Sequence, residues 1–147
     1  MSKTYEYLHV VFGTKLRKPT IDNEHKEELL HYLFALLKEM GCYVYRINAM
    51  EDHVHIFFDK NKKMIVETIV QKLKGASSAW MRRSGLFPYF EGWAKEYFAG
   101  SISSWDKDMI INYIANQPYH HKKMTFEEEM MRIYKSAGVE WHPNDFL

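Results

Sequence analysis

The chain has 147 residues, 46% hydrophobic and 16% aromatic, which is the length and apolar content of one domain with a real core. Its 20 basic and 19 acidic residues leave a formal net charge of +1, so composition gives no argument for a polyanionic partner and any such reading must rest on local charge. No run of 18 or more apolar residues is present, and Met1-Ser2-Lys3-Thr4-Tyr5 leads into a Tyr/His/Val pattern unlike a signal peptide, so a soluble cytoplasmic protein without a membrane segment is expected.

In chain order, Thr4 to Phe12 sets Tyr5, Tyr7, His9 and Val11 against Leu8, Val10 and Phe12, the alternation of a strand. Gly13 to Ile21, with Lys15, Arg17, Lys18 and Pro19, reads as a basic loop. Asp22 or Asn23 is placed to cap a helix reaching about Met40, because Leu29, Leu30, Leu33, Phe34, Leu36 and Leu37 fall at helical spacing and Gly41 closes it. Cys42 to Ala49 is a second strand, joined by a short turn to a third at His53, so the two form a hairpin. Cys42, the single cysteine, has no disulfide partner and is expected as a buried thiol.

Met64 to Ser84 carries Ile65, Ile69, Val70, Leu73 and Trp80, which predicts an amphipathic helix interrupted near Gly75. Gly85 to Gly92 is irregular, and Lys95 to Ser103 is a fourth strand weakened by Gly100. Asp106 to Gln117 forms a helix, with Ser104 as cap and Pro118 marking its end. Thr125 to Ala137 forms another, with Thr125 and Glu128 at capping-box spacing and Gly138 after it. The order β-α-β-β-α-β plus two helices predicts an α+β, ferredoxin-like (RRM-like) antiparallel sheet with packed helices and a C-terminal helical addition, a single domain over 1–147.

Two places carry candidate chemistry. In Asp52-His53-Val54-His55-Ile56-Phe57-Phe58 the two histidines share one face of a strand, about 7 Å apart, close enough to converge on one divalent ion. Nucleotide hydrolases and transferases with a triple-histidine strand would need a third His where Phe57 stands, so further ligands must come from elsewhere. On the helix from Asp106, Tyr113 and Gln117 lie one turn apart on one face. Tyrosine attacks phosphorus when a metal polarises the phosphate, and glutamine is a neutral oxygen ligand. By themselves these residues leave a second reading open, in which the histidines and Tyr113, one of ten tyrosines, are packing residues.

The joint set Glu51-Asp52-His53-Val54-His55, Lys72-x-Lys74-Gly75-x-Ser77-Ser78, Trp93 to Ser103 and Tyr113-Ile114-x-Asn116-Gln117-x-x-His120-His121 resembles the single-tyrosine HUH transposases of small bacterial insertion sequences. The REP-associated tyrosine transposases are relatives of that family. The resemblance runs from the first strand to Gly138, and departs from the commonest pattern at Glu96, where many members have glycine.

The resemblance implies a metal-dependent nuclease and strand transferase for single-stranded DNA with a hairpin. It would form a 5′-phosphotyrosine bond, free a 3′-hydroxyl and need no nucleotide cofactor. It assigns His53, His55 and Gln117 to Mg²⁺ or Mn²⁺ and Tyr113 to nucleophilic attack, and it implies a homodimer whose sites combine elements in cis or in trans. Between Lys60 and Arg83 there are seven basic residues against one acid, Glu67, and Lys60, Lys62, Lys72, Lys74, Arg82 and Arg83 are candidates for DNA phosphate contacts. Trp80, Tyr89 and Trp93 are candidates for base stacking, weighed against core packing. The alternatives are a domesticated, non-mobile hairpin-binding protein or nuclease of the same fold, and a phosphoesterase that uses water and has no need of Tyr113.

Overall fold

The structure, a computed structural model, describes residues 1–142. Strand β1 (Tyr7–Thr14) is followed by helix α1 (Lys26–Glu39), the hairpin β2 (Tyr43–Ala49) and β3 (His53–Asp59), helix α2 (Val66–Ser84) and strand β4 (Trp93–Ser101). Three helices follow: α3 (Lys107–Ala115), the single turn α4 (Gln117–His120) and α5 (Phe126–Ala137). The four strands form an antiparallel sheet in the order β2-β3-β1-β4. This is the ferredoxin-like arrangement that the element order predicts.

Alternation along the two central strands divides the molecule into layers. Val10, Phe12, Val54, Ile56 and Phe58 point into the larger core, against Leu29, Leu33 and Leu37 of α1 and Ile69, Leu73 and Met81 of α2. Val11 joins Phe98, Phe126, Met130 and Tyr134 in a smaller core on the other face. His9, His53 and His55 are buried on that second face, in register through the pairs Val11↔His55 and Gly13↔His53. Cys42 is buried, as expected.

Several boundaries differ from the sequence expectation, each for a local reason. Helix α1 starts at Lys26 without a side-chain cap, because the Asp22 carboxylate instead accepts from the Glu24 amide within the preceding turn. Helix α2 runs through Gly75 without interruption. Gly75 faces open space, so the missing side chain costs only about 1 kcal/mol, while the stripe Ile69, Val70, Leu73, Ser77 and Met81 stays buried on both sides of it. Ser104 lies inside a 3₁₀ turn and caps nothing, and α3 ends at Ala115, ahead of Pro118, which sits in the first turn of α4. The Thr125 hydroxyl does cap α5, accepting from the Glu128 amide, and Gly138 closes that helix in the left-handed conformation. Among the described residues no helix is long and apolar enough to cross a membrane.

Candidate metal and tyrosine site

The site forms where α3, α4 and α5 close over the histidine face of the sheet. Helix α5 is amphipathic, and its buried stripe reads Phe126, Glu129, Met130, Tyr134, so a carboxylate stands among apolar residues. Phe126 stacks on the His53 ring at 4.0 Å between centroids. Gly13 makes room for it, since a Cβ there would lie 3.1 Å from the Phe126 ring. Docked this way, α5 delivers Glu129, only 2% exposed, onto the histidine pair.

Glu129 Oε1 lies 3.3 Å from His53 Nε2, 3.3 Å from His55 Nε2 and 2.9 Å from His121 Nε2. Its other oxygen, Oε2, accepts from Gln117 Nε2 at 2.8 Å and from the Tyr113 hydroxyl. Gln117 Oε1 is 3.3 Å from His53 Nε2 and 3.1 Å from His121 Nε2. Tyr113 packs edge-on to His55, with centroids 5.9 Å apart, and stacks on His120. All of these groups belong to one chain.

The outer partners orient the rings. His53 Nδ1 is 2.7 Å from Asp52 Oδ1 and donates to it, which leaves Nε2 facing oxygen. His55 Nδ1 meets His9 Nε2 at 2.9 Å. A neutral His53 therefore turns a bare lone pair toward two oxygens, Gln117 Oε1 and Glu129 Oε1. That arrangement is repulsive until a proton or a cation sits between them.

The titration behaviour follows. Burial alone would raise the Glu129 carboxyl, but bonds from His121, His53 and His55 outweigh it and hold it well below the usual carboxylate range. Burial works against the His53 proton, yet Asp52 and Glu129 prevail and push its pKa up. Burial lowers His55 despite Glu129, and burial beside His55 takes His9 down to about 3. Tyr113 is pushed well above its ordinary value, first by burial and then by the Glu129 charge.

The residues fit a divalent cation. Ligand atoms of His53, His55 and Glu129 all lie within 4.8 Å of one another. Adjacent ligands about 2.1 Å from an octahedral ion stand about 3.0 Å apart, close to the separations found here. The carboxylate partner on His53 is the usual outer support of a metal-bound imidazole. A cleft of about 590 Å³, lined by His9, Phe98, Tyr113, Glu129 and Arg132, leads to the site between β4, α3 and α5.

The family model described as "Transposase IS200 like" matches residues 2–117. The chain belongs to the IS200-like transposase family. Among solved structures, it resembles a candidate transposase from Deinococcus radiodurans R1, at 24% identity and a TM-score of 0.62, over 80% of this chain and 95% of that one. It also resembles a REP-associated tyrosine transposase bound to a REP hairpin, at 14% identity and a TM-score of 0.59, over 100% of this chain and 90% of that one. At these identities both likenesses speak for the fold. No curated protein matches the chain significantly.

Within this transposase the structure gathers four of the residues singled out by motif and spacing, His53, His55, Tyr113 and Gln117, at one point. It keeps the basic candidates apart from them. Lys72, Lys74, Arg82 and Arg83 belong to α2, in the layer on the opposite face of the sheet. Lys74 Nζ donates to the Lys95 carbonyl of β4 and Arg82 to the Glu91 carbonyl, so this helix gathers cations near the β4 edge. Lys60 is tied to Met64 O and Glu6, while Lys62 is exposed. Trp80 stacks on Tyr32 and Trp93 packs on Phe12, whereas Tyr89 is exposed.

The sequence patterns single out no role for Glu129, His9, Asp52 or His121. A signal for Glu129 existed. It sits three residues after Phe126 and five before Tyr134, on the apolar face of a helix, where a lone carboxylate needs partners.

Proposed function

We propose that the chain is a metal-dependent transposase that cleaves and rejoins single-stranded DNA at hairpin-bearing ends through a 5′-phosphotyrosine intermediate. The observation that carries this reading is the convergence of Tyr113, Gln117 and Glu129 on the His53–His55 pair within one buried cluster. His53, His55 and Glu129, with Gln117 Oε1 beside them, would hold Mg²⁺ or Mn²⁺. When bound, such an ion polarises the scissile phosphate and offsets the charge that develops on it.

The rest is done by side chains. Tyr113 Oη attacks phosphorus, a new O–P bond forms, the bond to the 3′ oxygen breaks, and that oxygen leaves as a 3′-hydroxyl. Glu129 Oε2 accepts the Tyr113 hydrogen bond and so aims the phenol oxygen, and the proton that Tyr113 gives up is balanced by the one the departing 3′ oxygen takes on. Phosphodiester energy is kept in the covalent link, so a later 3′-hydroxyl reverses the attack and joins strands, with no nucleoside triphosphate. The exposed cations Lys62, Lys72 and Arg83 would hold hairpin phosphates. A hairpin partner is supported by the solved relative, which is bound to a REP hairpin. A two-fold homodimer supplies the two sites that two cut ends require.

The decisive experiment uses a single-stranded oligonucleotide that carries the hairpin and cleavage site, with Mg²⁺. The expected result is a protein–DNA adduct that survives denaturing electrophoresis with wild type and is absent with Tyr113→Phe. An adduct with Tyr113→Phe would move the nucleophile to another tyrosine. Cleavage without any adduct would make water the attacking group and overturn the reading.

A further inference from the structure

On the histidine face, the half of the sheet beyond His9 is built of aromatic rings. Tyr7 is two residues from His9 on β1, and Phe57 two residues from His55 on β3. Tyr45 packs on Phe57 at 5.3 Å and on Tyr7 at 5.9 Å, Tyr43 on Tyr45 at 4.9 Å, and Tyr5 stacks on Tyr7 at 5.7 Å. The register of β2 slips between Val44 and Arg46, which leaves Tyr45 as the extra residue of a bulge, a device that re-aims a side chain.

The rings are graded in exposure. Phe57 is fully buried, Tyr7 and Tyr45 are half-buried, and Tyr5 and Tyr43 stand 60% and 66% exposed at the two ends. Lys107, at the start of α3, places Nζ 4.9 Å from the Tyr7 centroid and 4.5 Å from that of Tyr45. The carboxylates at this end are engaged: Glu6 pairs with Lys60 and Asp59 accepts from the Glu6 amide. Lys107 is thus the cation that stands over the rings.

We propose that Tyr5 and Tyr43, braced by Tyr7, Tyr45 and Phe57 and flanked by Lys107, form a stacking platform for unpaired DNA bases that run into the histidine site. Flat rings at successive positions beside a cation match what single strands require: a π-face for each base and a positive charge for the backbone between them. Four-stranded sheets of this topology stack bases on aromatics of their two central strands; here Phe57, at such a position, is buried against Tyr45, and the exposed rings of the same cluster are Tyr5 and Tyr43. Tyr5 stands four residues from His9, and Tyr43 pairs with Asp59, four residues from His55, about 13 Å in each case, so the phosphates that reach Tyr113 and Glu129 are those beyond the bases held on the rings. The platform rests on the single-strand reading above, and its site is distinct from the chemistry.

The test is fluorescence anisotropy with labelled oligothymidylate, which forms no hairpin, and a duplex of the same length as control. Tyr5→Ala plus Tyr43→Ala, both at exposed positions, is expected to weaken oligothymidylate binding roughly tenfold or more and leave duplex binding unchanged. Tyr5→Phe plus Tyr43→Phe, which keeps the rings, should bind like wild type, and Lys107→Ala should lower affinity and flatten its salt dependence. At saturating hairpin substrate the double alanine variant should still form the Tyr113 adduct. Wild-type affinity in the double alanine variant overturns the platform. An equal loss for duplex, or a wild-type dimer in light scattering that the alanine variant breaks, overturns it too, the latter by making the face a contact between copies. Loss of the adduct in wild type would instead strike the proposed chemistry and leave the platform result readable.

Discussion

The hydroxyl of Tyr113 on α3 donates to the carboxylate of Glu129 on α5, a residue beyond the segment matched to the transposase family. The other oxygen of the same carboxylate faces His53, His55 and His121. One side chain thus ties the nucleophile candidate to the metal candidate.

Glu129 is expected to matter for metal itself, apart from cleavage. Titration of wild type and variants with Mn²⁺ by electron paramagnetic resonance should show roughly 10–100-fold weaker binding for Glu129→Gln, which keeps the shape and removes the charge. Gln117→Ala should lose less, since a neutral oxygen contributes less than a carboxylate. Wild-type Mn²⁺ affinity in Glu129→Gln would remove Glu129 from the ligand set.

The His53 proton makes metal affinity depend on pH. Its folded pKa is raised, so in the metal-free protein the bound proton stabilises fully below the ordinary 6.5 and that stability is lost as pH rises through the folded value. A cation must displace this proton, so Mn²⁺ affinity should go on increasing above pH 6.5. His9 and His55, both lowered, are already neutral there. Asp52→Asn removes one of the groups that raise His53 and should move the midpoint to lower pH. An affinity that is flat from about pH 6 to 8 would contradict this.

The tyrosine reaches the histidines of its own chain, with Tyr113 and His55 ring centroids 5.9 Å apart. Mixing His53→Ala with Tyr113→Phe should therefore leave adduct formation absent. Recovery of up to a quarter or a half of wild-type adduct, as random subunit pairing allows, would show sites assembled in trans.

Met130 lies fully buried between α5 and the sheet, so Met130→Ala should destabilise by about 2–5 kcal/mol. Because the same helix presents Glu129, the variant should also bind Mn²⁺ more weakly at temperatures where it stays folded. Chemical denaturation measures the first effect, and the Mn²⁺ titration the second.

Much of this protein is decided locally and is legible in its sequence. Two-residue alternation in Thr4 to Phe12 and in His53 to Phe58 makes strands with the imidazoles on one face, because a pleated backbone has no other place for them. Leucine spacing makes α1, and the Thr125 cap and Gly138 bound α5. Where local rules competed with packing, packing prevailed: α2 continues through Gly75 because its buried stripe outweighs one glycine. The ligand set was different in kind. His9 and His55 are 46 residues apart and His55 and Glu129 are 74 apart, and no periodicity in a chain records which helix will lie on which strand. That depended on Gly13 leaving space for Phe126, and on the sheet order that puts β3 and β1 side by side at its centre. The sequence determined which side chains share a face; the tertiary structure decided which faces meet, and so turned Glu129 from one acid in a charged run into the buried centre of the site.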